Sequence, residues 1–558
     1  MTPSPLQSLL RFPPWETLPL RQQVAQMVVV RASGYLFDHQ IRYPAWEPPA
    51  AVLRSLIQDL GVGGVILLGG SAGELHLRTQ QLQDWAHLPL LIAADVEEGV
   101  GQRFAGATWF PPPMALNAIF QQDQAKALGH AEAMGATIAQ ESLAIGLNWV
   151  LAPVVDVNNN AANPVINVRA FGETPEVVSH LTAAFLRGAQ RHPVLTTAKH
   201  FPGHGDTAVD SHLELPIVPH LEDRLQQIEL SPFRTAIGAG VDAVMSAHLQ
   251  IPAWDRTYPA TLSPRILTQE LRQNLQFAGL IVTDALVMGA IANRYGTEEA
   301  AVLAVEAGAD ILLMPADPAA AIEAVCAAVT SGRIPLERIQ ASLERIWWAK
   351  QKVCAPAIVS EDTHPHAWET LPDAPRQDFT ALLSQPQSLK LVQTILQESM
   401  TCHGQAPSLP PAASRNLIVV DNLLDSEFLG LQTPAITLPQ SLGYSLALID
   451  RQTATGGSDP SAINQPTLLQ VFVRGNPFRG SAGLTQTVQT CFQSLIERGQ
   501  LQALVVYGSP YILEQLLITL PPDIPYVFSY GQMAIAQAVA LQHLFPTEKA
   551  TSLNQDCP

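Results

Sequence analysis

The densest polar stretch of the chain is KHFPGHGDTAVDSH, Lys199 to His212. It gathers Lys199, His200, His204, Asp206, Asp210 and His212, with Gly203 and Gly205 as flexible points. Pro202-Gly203 argues against a helix. The apolar run LTTA just before it makes the stretch a loop at the end of a strand. Three readings compete for such a loop. A solvated polar loop needs no function. A metal site would use the His and Asp side chains as ligands, but the spacings match no closed zinc pattern and Lys199 would repel a cation. Acid/base catalysis suits the side chains better. An Asp two residues from a His can orient the imidazole and raise its pKa by stabilising the charged form. Histidine starts near ~6.5, where a general acid/base works well at neutral pH.

A second motif is GLIVTDALVMGAI, in which Asp284 ends an apolar run and opens a non-polar turn. Asp suits a helix N-cap. It equally suits a carboxylate nucleophile, which glycoside hydrolysis with retention requires. Two further groups carry paired charge. AADVEEGVGQRF supplies Asp95, Glu97 and Arg103, and NPVINVRAFGETPE supplies Arg169. Carboxylates and guanidinium groups can fork onto sugar hydroxyls, or form ordinary surface ion pairs.

Something must bring these scattered groups together. Apolar runs recur at Val24–Val30, Val62–Gly69, Leu90–Ala94, Asn148–Val155, Leu195–Lys199, Asp242–Ala247, Gly279–Thr283 and Asp310–Met314. Most are nearly continuous, as parallel strands covered on both faces are. Helical patterns lie between them, at Pro175–Gln190, Arg224–Gly238 and Thr297–Ala307, the last ending at Gly308. Alternation of this kind implies an α/β fold with a parallel sheet. Eight units imply a (β/α)8 TIM-type barrel, which typically takes about 250 residues. Such barrels carry their chemistry at the C-terminal strand ends. Asp95, Asp156, Lys199, His200, His248 and Asp284 all stand there.

The pattern stops after Trp348 and Cys354. Residues 1–354 read as the barrel domain, 355–385 as a linker rich in Pro, Asp, Glu and His, and 386–558 as a smaller C-terminal α/β domain. The latter has a helix pattern at Pro386–Met400 and strand-like runs at Leu417–Val420, Leu468–Val473, Ala503–Tyr507 and Tyr526–Ser529, with another helix at Gln532–Leu544.

Composition narrows the partners. A formal net charge of −18 argues against nucleic acid and against anionic membrane surfaces. Five scattered cysteines include no CxxC pair, so they suggest reduced thiols in a cytoplasmic protein. The N-terminus lacks the pattern of a signal peptide. No apolar stretch reaches the ~18–20 residues of a membrane span.

Taken together, the motifs resemble glycoside hydrolase family 3, in its β-N-acetylglucosaminidase (β-N-acetylhexosaminidase) branch. The resemblance is strong over residues 20–350 and looser beyond; KHFPGHG…DSH is its most specific part. It implies His212 as acid/base, Asp210 as its dyad partner and Asp284 as nucleophile. It also implies sugar binding by Asp95, Arg103, Arg169, Lys199 and His200. The substrate would be a small oligosaccharide or muropeptide from peptidoglycan, and no cofactor or metal would be required. Phosphorolysis of the same glycosides is an alternative, as is a non-catalytic sugar-binding protein. Two departures stand out. The family usually reads D-x-E-G-G-R-V where this chain has DVEEGVG, so Glu98 and Val100 replace a Gly and an Arg. The nucleophile step is usually followed by a second Asp, which here is Ala285.

Overall fold

The computed structural model describes residues 13–209, 214–354, 379–404, 414–424, 426–452, 465–475 and 485–546. The eight apolar runs become β1 (Val28–Ser33), β2 (Gly64–Leu68), β3 (Leu91–Ala94), β4 (Trp149–Val150), β5 (Leu195–Phe201), β6 (Ala243–Ser246), β7 (Leu280–Val282) and β8 (Leu312–Leu313). They pair in the order β7-β6-β5-β4-β3-β2-β1-β8. A parallel bridge between Val282 and Ile311 joins the two ends, and the Thr283 N–H donates to the Ile311 carbonyl at 3.0 Å. The sheet therefore closes into a barrel, which removes its edges. β3, β5 and β6 are buried throughout. Burial on both faces is why these strands read as unbroken apolar runs rather than as alternation.

Two expectations change. The run Val24–Val30 is not one strand: Leu20–Ala25 is helical and β1 starts only at Val28. Val24 and Ala25 are buried in that helix, so an apolar run this short carried no period to distinguish helix from strand. The helix expected over Arg224–Gly238 is two, Glu222–Gln227 and Leu230–Gly238. Pro232 has no N–H to give to an upstream turn, so it falls in the first turn of a new helix.

The N-terminal end of the barrel is held by a buried carboxylate. Asp310, fully buried just before β8, accepts from Arg272 Nη2 at 2.7 Å, Arg338 Nη2 at 3.1 Å, Arg345 Nη1 at 3.1 Å, Ser342 Oγ at 2.8 Å and the Ile281 N–H at 3.0 Å. Asp310→Ala leaves three guanidinium groups around a vacated centre. Removing one partner of a buried ion pair costs about 3–5 kcal/mol, and chemical denaturation of the variant is expected to show a loss of that size. A loss below about 1 kcal/mol, the scale of a surface pair, would contradict this role.

The second domain is a six-stranded sheet. Its strands are β9 (Thr401–His403), β10 (Arg415–Val420), β11 (Ser445–Ile449), β12 (Thr467–Val473), β13 (Leu501–Gly508) and β14 (Tyr526–Ser529), in the order β11-β10-β12-β13-β14-β9. Only β9 runs antiparallel to its neighbour. The expected helix over Pro386–Met400 forms as Pro386–Ser399, and that over Gln532–Leu544 as Ala534–Leu544. β9 and β11 were not anticipated; they are the two edge strands, and their partial or full exposure gives no continuous apolar run. Most of the expected linker, 355–378, lies outside the described residues. Among the described residues no helix is long and apolar enough to cross a membrane.

Candidate active site

β5 delivers Lys199 to the C-terminal mouth of the barrel with its side chain 1% exposed. Its Nζ lies 2.6 Å from Asp95 Oδ1 and 2.6 Å from Glu97 Oε1, both in the turn after β3. Arg169, in the loop after β4, forks onto the same glutamate: Nε donates to Oε2 and Nη2 to Oε1, each at 2.8 Å. Two carboxylates and two cations thus form one network, buried at Lys199 and Glu97. Burial alone pushes the Glu97 pKa up, but Arg169 and Lys199 hold it well below the usual range. For Lys199 burial works downward, and Asp95 and Glu97 outweigh it, so its pKa is raised. Both groups stay ionised at neutral pH. Arg103 donates from Nε to the Asp95 carbonyl at 3.0 Å, bracing the turn from outside. Asp95 is the most open of the four network side chains, 36% exposed.

A second network lies beside the first. Asp156, fully buried after β4, accepts from His200 Nδ1 at 2.8 Å and from the His204 N–H at 2.7 Å. Burial raises the Asp156 pKa, yet the two histidines bring it below its ordinary value. Because an Asp156 carboxylate can only accept, His200 carries a proton on Nδ1. His204 is buried too, and burial lowers its pKa to about 4 against the pull of Asp156 and Asp284. It is neutral at physiological pH.

Asp284 follows β7 and the Thr283 side chain, whose Oγ1 accepts from the Leu313 N–H at 2.9 Å. Its Oδ1 accepts from the Ala285 N–H at 2.7 Å. His248, after β6, sets the turn from below: Nε2 lies 3.0 Å from the Ala285 carbonyl and Nδ1 2.8 Å from Thr261 Oγ1. The next helix starts only at Gly289, after Met288, so the helix-cap alternative for Asp284 falls. Its place directly after β7 puts it on the same C-terminal rim of the barrel as Asp156 and His200, within electrostatic reach of His204.

The structure therefore brings together Asp95, Arg103, Arg169, Lys199, His200 and Asp284. The surface-pair alternative for Asp95, Glu97 and Arg169 gives way, because Glu97 is buried between two cations. Asp210 and His212 lie outside the described residues. The stem of their loop is anchored: Asp206 accepts from Arg224 Nη2 at 2.7 Å and lies 2.8 Å from His220 Nε2, and Asn163 Nδ2 donates to the His204 and Gly205 carbonyls. Among the described residues, Asp206, His220 and Glu229 converge closely enough for a metal ion. However, Arg224 already sets its cation against both carboxylates, 2.7 and 3.4 Å away. Sequence reasoning undervalued Glu97, Asp156 and His204. Their strand-end or motif positions were visible, but the partners that give them a role were not.

Comparison with known proteins shows the family and the fold. Residues 19–349 match the Glycosyl hydrolase family 3 N terminal domain, and residues 410–546 match the Bacterial Glycosyl hydrolase family 3 C-terminal domain. A β-hexosaminidase A of Pseudoalteromonas piscicida is 39% identical over 285 residues, 47% of this chain and 47% of that protein. A β-hexosaminidase of Alkalilimnicola ehrlichii is 38% identical over 271 residues, 48% of this chain and 77% of that protein. The chain thus spans about half the length of the first relative. Among solved structures, a family 3 β-N-acetylglucosaminidase from Paenibacillus sp. str. FPU-7 superposes with a TM-score of 0.73 at 31% identity, covering 95% of this chain and 97% of that one. With both of its domains matched and its strand-end charges gathered at one barrel mouth, the chain belongs to glycosyl hydrolase family 3.

Proposed function

We propose that the chain is a retaining β-N-acetylhexosaminidase that releases terminal β-linked N-acetylglucosamine. The observation that carries this reading is the Asp284 carboxylate at the same mouth as the Asp95–Lys199–Glu97–Arg169 network. That network offers a pyranose fixed donors and acceptors, and Asp284 offers the nucleophile. Relatives named β-hexosaminidase, and a two-domain structural neighbour named β-N-acetylglucosaminidase, support the choice of sugar.

In this mechanism Asp284 attacks the anomeric carbon while His212, oriented by Asp210, protonates the departing oxygen. A glycosyl ester on Asp284 forms. His212, now neutral, takes a proton from water, and the hydroxide character so generated breaks the ester. Two inversions give net retention. A histidine here takes the place of the second carboxylate. The natural substrates are N-acetylglucosamine-bearing fragments of peptidoglycan.

A panel of aryl β-glycosides tests this. Turnover is expected to be fastest on the N-acetylglucosaminide, slower on the N-acetylgalactosaminide and slowest on the glucoside. It should be unchanged by a chelator and yield free sugar with or without added phosphate. Preference for the glucoside, or a sugar 1-phosphate as the main product in phosphate, would replace the reading with a glucosidase or a phosphorylase. Loss of turnover on chelation would point to metal-assisted hydrolysis.

A further inference from the structure

The second domain meets the barrel near its C-terminal mouth, through an ion pair on a buried carboxylate. Glu98 follows Glu97 directly and is 1% exposed. Trp109 Nε1 donates to its Oε2 at 3.1 Å, Arg474 Nη1 donates to the same oxygen at 3.2 Å, and Arg474 Nη2 lies 2.9 Å from Oε1. Arg474 stands just past the C-terminal end of β12. Its neighbour Gly475 packs so tightly on the loop after β4 that a Cβ there would lie 2.9 Å from the Asn167 Cβ. Tyr511 braces the same loop, accepting from Asn158 Nδ2 at 2.9 Å and donating to Glu173 Oε1 at 2.5 Å. Two segments at the barrel mouth are therefore held from the second domain: the turn bearing Asp95 and Glu97, and the loop bearing Asp156 and Arg169. Glu98 is also one of the positions where this turn departs from the usual family pattern.

We infer that Arg474 is a positioning residue for the active site, supplied by the second domain. It acts through Glu98 to keep the Asp95–Glu98 turn, and hence the Glu97 carboxylate that orders Lys199 and Arg169, in the arrangement that binds the sugar. Burial explains why the pair matters. Without the guanidinium, the Glu98 carboxylate stays in a site where Trp109 is its remaining side-chain donor, and a buried charge short of partners either draws in water or moves out. The Glu98 backbone is tied on both sides, its N–H donating to Gln102 Oε1 at 2.9 Å and its carbonyl accepting from the Phe110 N–H at 2.7 Å. A shift of its side chain is thus transmitted along the turn. A displacement on the order of 1 Å at such a positioning element can cost about 100-fold in rate.

The inference rests on the glycosidase reading, so its test has one arm that needs no turnover. In hydrogen exchange, Arg474→Ala is expected to speed exchange in peptides spanning residues 95–110. In kinetics on the aryl N-acetyl-β-glucosaminide, the same variant is expected to lose about 10- to 100-fold in kcat/KM, mainly through a higher KM. Arg474→Lys should restore part of the loss. Pairing Arg474→Ala with Glu98→Gln should also restore part, because the orphaned charge is gone. Lys126→Ala, which breaks the remote interdomain pair with Glu398, should leave KM unchanged. Wild-type KM together with unchanged exchange in Arg474→Ala overturns the inference. So does a lowered melting temperature with KM untouched, which marks a merely structural contact. If the wild-type protein turns over no glycoside of the panel, the functional reading fails by itself, and the exchange arm still decides whether Arg474 holds the turn.

Discussion

Asp284→Ala is expected to abolish nearly all turnover of an aryl N-acetyl-β-glucosaminide, lowering kcat/KM by at least about 10³-fold, while the protein stays folded. The side chain is half-buried and sits in a turn whose other ties, Thr283 to Leu313 and His248 to Ala285, are independent of it. Truncation therefore removes the proposed nucleophile without dismantling the strand ends. A small anionic nucleophile supplies the decisive control. Azide can enter the vacated space and attack the anomeric carbon from the face that Asp284 used. The product is then an α-glycosyl azide, formed by a single inversion. Rescue of this kind assigns the carboxylate as nucleophile. Activity within about tenfold of wild type would remove Asp284 from the mechanism, because loss of a covalent nucleophile costs far more.

His212→Ala carries the second large effect, and its size depends on the leaving group. A general acid contributes about 10²–10⁴-fold when the departing oxygen is basic. The variant should lose that much on a disaccharide, whose alcohol cannot leave unprotonated. An aryl glycoside with an acidic phenol departs without help, so its first step is nearly spared. The second step still lacks a base, and the glycosyl ester on Asp284 accumulates. A burst of phenol close to one equivalent of enzyme, followed by slow turnover, is the expected trace in a stopped-flow measurement. Equal losses on disaccharide and activated aryl glycoside, with no burst, would take the proton-transfer role away from His212. Asp210→Ala should show a milder form of the same pattern, since in the proposed mechanism it orients the imidazole rather than transferring a proton.

Much of the barrel was legible because its physics is local. A strand covered on both faces carries little charge along its length, so β2, β3, β6 and the first half of β5 announced themselves as runs. Polar residues at the C-terminal ends of β3, β5 and β7, where such a barrel keeps its chemistry, marked Asp95, Lys199, His200 and Asp284 as candidates. Val24 and Ala25 misled because a six-residue helix is too short to display its period beside a strand. Edge strands β9 and β11, partly or wholly exposed, had no apolar signature to read. The pairing of side chains was hidden for a different reason. Glu97 between Lys199 and Arg169, and Arg474 on Glu98, are meetings of residues up to 376 positions apart. Spacing along a chain says nothing about such contacts until the topology is known.

The charge balance of the Asp95–Glu97–Lys199–Arg169 network bears on how fast a substrate arrives. Two anions against two cations, all within a few ångströms, cancel beyond the first layer of solvent and project little field into bulk water. An uncharged oligosaccharide is therefore not steered toward the opening; its encounter rate is set by diffusion and barely responds to ionic strength. A fragment that bears carboxylates meets the overall −18 of the chain instead, and added electrolyte eases its approach by screening that repulsion.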